Sequence, residues 1–394
     1  MITQDQPNTR QLEGDPRAAR IAVSAVFFLL GGQLAVWAVS VPLIRLKFGL
    51  DEAELGRLLL CFGFGAVLAV PFSSALLKRY PHSSVTRICG LVGLFSFMLL
   101  GFIPSVVLLA FLMVFCSLFL ATTDVAMNAN AVDVEELAQR PMMSSFHGWF
   151  SAGGLFGLVL GPLAAKVGLA AMVLAGAGLL FAAFVVVQRN LLDAPVQVVD
   201  AVPSQGGMFR NFSFVLLALA LANMVSYSLE GAVIDWSGVH AEKVLNAEPY
   251  FYGIGFAAFS VTMAIIRFSG DYMRSVFGNR KVLVASCLLG AAGYFIVASS
   301  STVWQATGGY ALLGLGMANL VPIFFVMAAR VPGVTAGTGI ALVAGMGYVG
   351  FLTVPPIIGF IARGVGLPAV FYGLSFILLM TVLVVFIFPK KQSE

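Results

Sequence analysis

Apolar residues run through this chain in long blocks, and polar residues gather in short clusters between them. Reading the blocks between charged or Pro/Gly breaks gives twelve, at about 19–43, 55–77, 86–103, 105–134, 142–165, 167–187, 211–239, 250–270, 281–300, 303–328, 334–361 and 366–388. A helix needs roughly 20 apolar residues to cross a bilayer, so each block is read as one crossing. An even number of crossings returns both termini to the same side. The longest polar interruption after the start, QRNLLDAPVQVVDAVPSQGGMF at 188–209, divides the crossings six and six. The pattern therefore predicts an all-α membrane protein: twelve transmembrane helices in two pseudo-symmetric six-helix bundles, over 1–187 and 210–394, joined by a linker at 188–209.

Composition agrees. The chain is 60% hydrophobic and 10% charged, whereas soluble domains hold nearer 45–50% apolar and 25% charged residues. Placing the termini in the cytoplasm puts 16 of the 22 Lys and Arg residues on inner segments and 6 on outer ones, the asymmetry of the positive-inside rule. The net charge of +4 is then a topology signal, with no call for a nucleic-acid partner. Cys61, Cys89, Cys116 and Cys287 fall inside apolar blocks and read as small core residues. The first block is too long for a signal-peptide core, so it is expected to remain on the protein.

The two halves echo each other. FSS at 72–74 recurs as FSG at 268–270, and VGLAA at 167–171 recurs as VGLPA at 365–369. Matches in register at topologically equivalent places point to a duplicated six-helix unit. The stretch GDYMRSVFGNRK, Gly270 to Lys281, resembles the signature loop of the major facilitator superfamily. Asp271, Gly278, Arg280 and Lys281 fit the second-half copy of that signature. The first-half copy, SALLKRYPHSSVTR, keeps basic residues but lacks the aspartate. PMMSSFHGWFSAGG, LEGAVIDW and GYVGFLTVPPIIG resemble the YbjJ-like branch of bacterial inner-membrane transporters, a distant relative of fucose permease. The resemblance implies transport by alternating access, a small-molecule substrate, a gating role for the signature loop and, as in most members, a monomer. It also implies that spans 1, 4, 7 and 10 line the central cavity.

Polar residues on those spans are the candidate site. Asn223, Tyr227 and Glu230 share one face of span 7 at i, i+4, i+7. Asp124, Asn128 and Glu135 share a face of span 4, and antiparallel register sets Glu135 opposite His147 of span 5. That pair reads as a proton relay or as an inter-helix latch. Gln33, Trp37 and Ser40 align on span 1, with Trp37 either a platform for a ring or a packed core residue. Asn319 of span 10 precedes Pro322 and is either a ligand contact or a satisfied buried amide. Asp235 is expected to meet water near the outer mouth. No lysine or arginine is expected in the middle of a span.

Several chemistries are excluded. GLGMAN at 314–319 follows no strand, and no Walker-type Gly-Lys-Ser/Thr is present, so hydrolysis of ATP on this chain is not expected. Neither a metal-ligand spacing nor a nucleophile–base pair stands out, and no cofactor or enzymatic activity is expected. Energy must then come from a gradient, and a carboxylate suits protons because desolvation favours its protonated form. Glu230, Asp124, Glu135 and His147 are the proton-coupling candidates; Gln33, Trp37, Asn128, Asn223, Tyr227, Glu230 and Asn319 are the substrate-contact candidates. The amide and aromatic stripe suits symport of a neutral sugar-like compound. The acids and apolar walls suit efflux of lipophilic or cationic compounds. A membrane sensor without flux is the reading from another class.

Overall fold

The computed structural model describes residues 15–139, 142–193, 214–332 and 336–383. Among them the chain forms thirteen α-helices: α1 Pro16–Phe48, α2 Glu52–Leu77, α3 His82–Met98, α4 Val106–Ala138, α5 Met143–Gly153, α6 Gly157–Val187, α7 Phe214–Val239, α8 Ile254–Phe277, α9 Asn279–Ser299, α10 Val303–Met317, α11 Leu320–Ala329, α12 Ala336–Val365 and α13 Leu367–Thr381. Helices suit a lipid environment because every backbone group is satisfied within the segment.

Ten helical stretches are long and apolar enough to cross a membrane, and Leu367–Thr381 is a shorter apolar helix. One stretch, Ser145–Asn190, is 46 residues long and folds back on itself. Gly168 inside α6 has φ 76° and ψ 178°, a conformation open to glycine and costly for other residues. A Cβ built on Gly176 would stand 2.8 Å from the Leu160 side chain, although 16 residues of straight helix would hold them about 24 Å apart. Counting this stretch as two passes and adding α13 gives twelve among the described residues. Gly366, the other member of the VGLxA repeat, has φ 81° and makes the equivalent turn between α12 and α13. A repeat of five letters thus marks a repeat of backbone geometry.

Local signals place the helix ends. Asp51 and Glu54 make a capping box at the start of α2, while Gly49, φ 64°, closes α1. α8 does not stop near Gly270; it runs on to Phe277, and Gly278, φ 79°, ends it. Where the chain leaves α6, Arg87 of α3 bonds the carbonyls of Gln188 and Leu191 and the carboxylate of Asp193. Residues 194–209 of the expected linker lie outside the described residues.

The first six passes meet the last six along two seams. On one, α5 and the start of α6 pack on α8: a Cβ on Gly253, the residue that caps α8, would stand 2.1 Å from the carbonyl of Gly157, the first residue of α6, so the backbones touch. On the other, α2 packs on α12, where a Cβ on Gly56 would stand 2.7 Å from the Pro356 carbonyl. The end remote from the termini is further tied by charge. Arg45 donates to both carboxylate oxygens of Glu242 at 3.0 and 2.8 Å, Lys243 pairs with Glu52, and Arg363 lies 3.4 Å from Asp51. Each pair joins an early pass to a late one. Glu242 and Lys243 sit on a π-helical turn, His240–Val244, that extends α7. At the terminal end, a cavity of about 960 Å³ lies among Arg17, Arg20, Phe28, Met142 and Trp149.

Candidate functional site

Midway along their length, α4, α7, α8 and α12 each carry polar side chains. Asp124 lies 14 residues before the end of α4, Tyr227 13 after the start of α7 and Tyr348 12 after the start of α12. At 1.5 Å per residue all three stand roughly 18–21 Å from the terminal end, near the middle of a bilayer core of about 30 Å. Tyr227 and Tyr348 hold their rings 5.7 Å apart at 58°. Asp124, Asn128, Tyr227 and Glu230 are half-buried, and Tyr348 is 43% exposed.

The central charge is one that sequence reading missed. Arg267 of α8 reaches Glu230 of α7 at 3.6 Å, with side chains 13% and 19% exposed. Its other terminal nitrogen donates to Ser151 Oγ of α5 at 2.6 Å, so one guanidinium joins a late helix pair to an early helix. The expectation of no mid-span arginine failed because the span was ended at Gly270. Helix α8 carries on to Phe277, which leaves Arg267 ten residues, about 15 Å, inside it. The signal was present: Gly278 is the stop glycine, and Gly270 is a packing glycine whose Cβ would stand 2.5 Å from Asn319 Oδ1.

The remaining candidates divide. Glu135 accepts from the backbone N–H groups of Met142 and Met143, capping α5, and so is not the partner of His147. His147 instead meets the Phe27 ring edge-on at 5.3 Å and lies within electrostatic reach of Arg267. Asn128 donates to the Asp124 carbonyl one turn back. Asn223, fully buried, donates to Val343 O at 2.8 Å and ties α7 to α12. Asn319 sits at the break between α10 and α11 and packs on Gly270. Gln33 is 2% exposed, and neither amide atom has a hydrogen-bond partner among the described residues.

Trp37 is packed, stacking on Phe62 at 5.0 Å. Its indole N–H donates to Asp235 Oδ1 at 2.7 Å. Asp235 is thus no solvated helix-end acid: it joins α7 to α1. In the signature loop, Gly278 forms the one-residue turn, Arg280 and Lys281 open α9, and the side chain of Asp271 lies outside the described residues. Among those residues no group of three or more His, Cys, Asp and Glu could hold a metal ion.

The model of the Major Facilitator Superfamily matches residues 21–246 and, a second time, 216–394. The chain belongs to that superfamily. It is 32% identical over 372 residues to an uncharacterised MFS-type transporter of Yersinia pestis, covering 92% of this chain and 94% of that one. It is also 32% identical to the membrane protein MosC of Rhizobium meliloti, over 88% of this chain and 84% of that one. Among solved structures, the nucleoside transporter NupG superposes with a TM-score of 0.76 at 13% identity, covering 93% of this chain and all of that one. The E. coli fucose:proton symporter FucP gives 0.63 at 17%, over 95% and 98%. These likenesses establish an all-α superfamily transporter embedded in the membrane by many passes.

For a superfamily transporter the charge inventory at mid-depth is informative. Glu230 neutralises Arg267, and each is half of a pair that lipid-depth burial makes necessary. Asp124 differs: its carboxylate has no ion-pair partner among the described residues.

Proposed function

We propose that this protein is a secondary active transporter that moves a small hydroxylated, sugar-like solute together with protons by alternating access. The observation that carries the reading is the Glu230–Arg267 pair at mid-depth, held 3.6 Å apart and bridged to α5 through Ser151. A proton taken up by Glu230 removes the counter-charge of a buried arginine, which must then find another partner. Binding of a proton is thereby converted into movement of a side chain that touches both halves. Residues 1–187 and 210–394 would rock as two bundles about the linker, with Asp271, Gly278, Arg280 and Lys281 at the gating loop. His147, beside Arg267, is the candidate exit step for the proton. The asymmetry of basic residues supports cytoplasmic termini, and the branch-type motifs support a bacterial inner membrane. On that orientation the described state is closed to the outside.

A second reading, movement of organic cations, is favoured by Asp124, the mid-depth acid whose carboxylate has no ion-pair partner among the described residues. Both are tested by solid-supported-membrane electrophysiology on proteoliposomes, with sugars, polyols and organic cations applied at an acidic and an alkaline pH. The expected result is a substrate-triggered, proton-dependent signal in the wild type that Glu230→Gln abolishes while substrate exchange survives. Proton-driven accumulation that persists in Glu230→Gln would remove Glu230 from the coupling step.

A further inference from the structure

We infer that the cavity at the terminal end binds an anionic phospholipid, with its phosphate on Arg17 and Arg20 and an acyl chain along the apolar wall. The inference goes beyond the transport reading and does not rest on it, since none of the substrate-contact candidates is among the described lining residues of this cavity. Arg17, Arg20, Ile21, Ser24 and Phe28 line it from one face of α1, spaced i, i+3, i+4, i+7, i+11. The opposite face, with Ala19, Ala22, Val23 and Val26, is buried in the bundle. The corner where α4 ends and α5 begins supplies a facing wall through Leu137 and Met142. Trp149 of α5 closes the deep end, its ring 6.4 Å from that of Phe28. From Arg17 to Phe28 the cavity follows α1 for eleven residues, about 16 Å.

Polarity is graded along that length. The described lining holds two positive charges, both at the end near the termini, and no negative one. The acids beside it are engaged with backbone: Asp15 accepts from the Arg17 N–H, and Glu135 from those of Met142 and Met143. Apart from the arginines and Ser24, every described lining side chain is apolar or aromatic. Ile21 is 69% exposed and Trp149 43%. Facing water such surfaces would be unfavourable; facing the bilayer they are natural ground for acyl chains. Arg17 and Arg20 stand just before the apolar block of α1 begins, the level at which headgroups lie. A phosphate there meets two guanidinium forks, the group best matched to it. The cavity, about 960 Å³, has room for part of the chain as well as the headgroup. A soluble anion would satisfy the arginines and leave the apolar wall bare. A neutral lipid would cover the wall and leave the arginines without a counter-charge. An anionic phospholipid does both, as basic pockets between transmembrane helices do elsewhere. Trp149 also meets Phe268 of α8 at 5.9 Å, so the bound lipid touches a wall shared with the later half.

The test is native mass spectrometry of the purified full-length protein, titrated with phosphatidylglycerol and phosphatidylcholine of identical acyl chains. Phosphatidylglycerol should bind about 5- to 30-fold more tightly, about fivefold for each arginine at headgroup level. Arg17→Gln with Arg20→Gln should bring it down to the phosphatidylcholine level. Arg79→Gln, on an exposed basic residue just beyond α2, should change it by less than about twofold, because a distant charge is screened. Ser24→Trp keeps both arginines and fills the cavity, so occupancy by both lipids should fall. Equal binding of the two lipids, an equal loss in Arg79→Gln, or undiminished binding in Ser24→Trp would each overturn the site. So would displacement of phosphatidylglycerol by an equal concentration of inorganic phosphate, which marks a plain anion site, or a protein dimer in place of the bound lipid, which marks a self-contact.

Discussion

Arg45–Glu242 and Arg267–Glu230 are both arginine–glutamate pairs, and they differ in every respect that matters for a moving protein. The first is bidentate, at 2.8 and 3.0 Å, and joins α1 to the turn beyond α7. The second is longer, 3.6 Å, and joins neighbours α7 and α8 within the later half. At the remote end the pairing is one of several contacts between the two halves, so it must break whenever that end opens; water can re-solvate both ions when it does. At mid-depth the pair keeps a cation tolerable in a low-dielectric interior, and separating it without a substitute is expensive. Geometry alone thus distinguishes a contact between the halves from one within a half.

The largest effect is expected at mid-depth. Glu230→Gln leaves Arg267 uncompensated and should lower stability by about 2–4 kcal/mol, whereas the double change Glu230→Gln with Arg267→Gln should recover much of the loss. Thermal unfolding of the purified protein reads this, and additivity of the two single changes would contradict the pairing. Next, a Gly253→Ala change places a methyl 2.1 Å from the Gly157 carbonyl and should cost about 1–3 kcal/mol through overpacking of the seam where α6 and α8 begin. Unaltered melting and uptake would mean that this seam yields easily. At the remote end Glu242→Gln should cost only about 1–2 kcal/mol but should favour the state open there. Labelling of a cysteine introduced beside Arg45 should rise, and the swap Arg45→Glu with Glu242→Arg should bring it back.

Smaller still, Trp37→Phe removes one hydrogen bond to Asp235 and should cost about 1 kcal/mol, with the same sense of increased opening. The least effect belongs to Asp51. Backbone donation from Glu54, helped by Arg363 and Arg57, holds its carboxyl below the usual value. Its folded-state pKa is depressed, so its contribution is present above the unfolded value, about 3.9, and is lost only as pH falls through the folded one. Acidification across the physiological range should therefore leave the Asp51–Arg363 contact intact, and opening driven by mild acid would have to come from elsewhere.

Much of this was legible in the letters. Twelve apolar blocks became twelve passes, and the VGLxA repeat became a repeated glycine turn, because block length and positive φ are local properties. Span 7 carried Tyr227 and Glu230 on one face for the same reason. What escaped depended on where helices stop and on what lies across a gap. Arg267 was counted with the charges of the inner side, three residues from the span end expected at Gly270. Glu135 was matched to His147 by register, yet the two exposed N–H groups at the start of α5 stood nearer. Asp235 and Trp37 are 198 residues apart, and no periodicity links them. Asn223 was read as lining the cavity, but a helix face says nothing about which neighbour claims its amide.

The glycine turns at Gly168 and Gly366 carry one more implication. Each joins two passes through a single residue, leaving no slack for either helix to slide past the other. The later part of α6 must follow its predecessor, and α13 must follow α12, as rigid hairpins. Such a hairpin can tilt but cannot telescope. Of the conformational changes open to a twelve-pass bundle, the outermost helices are therefore limited to rotation as cargo on the inner ones, and the sliding has to happen at the glycine-lined seams.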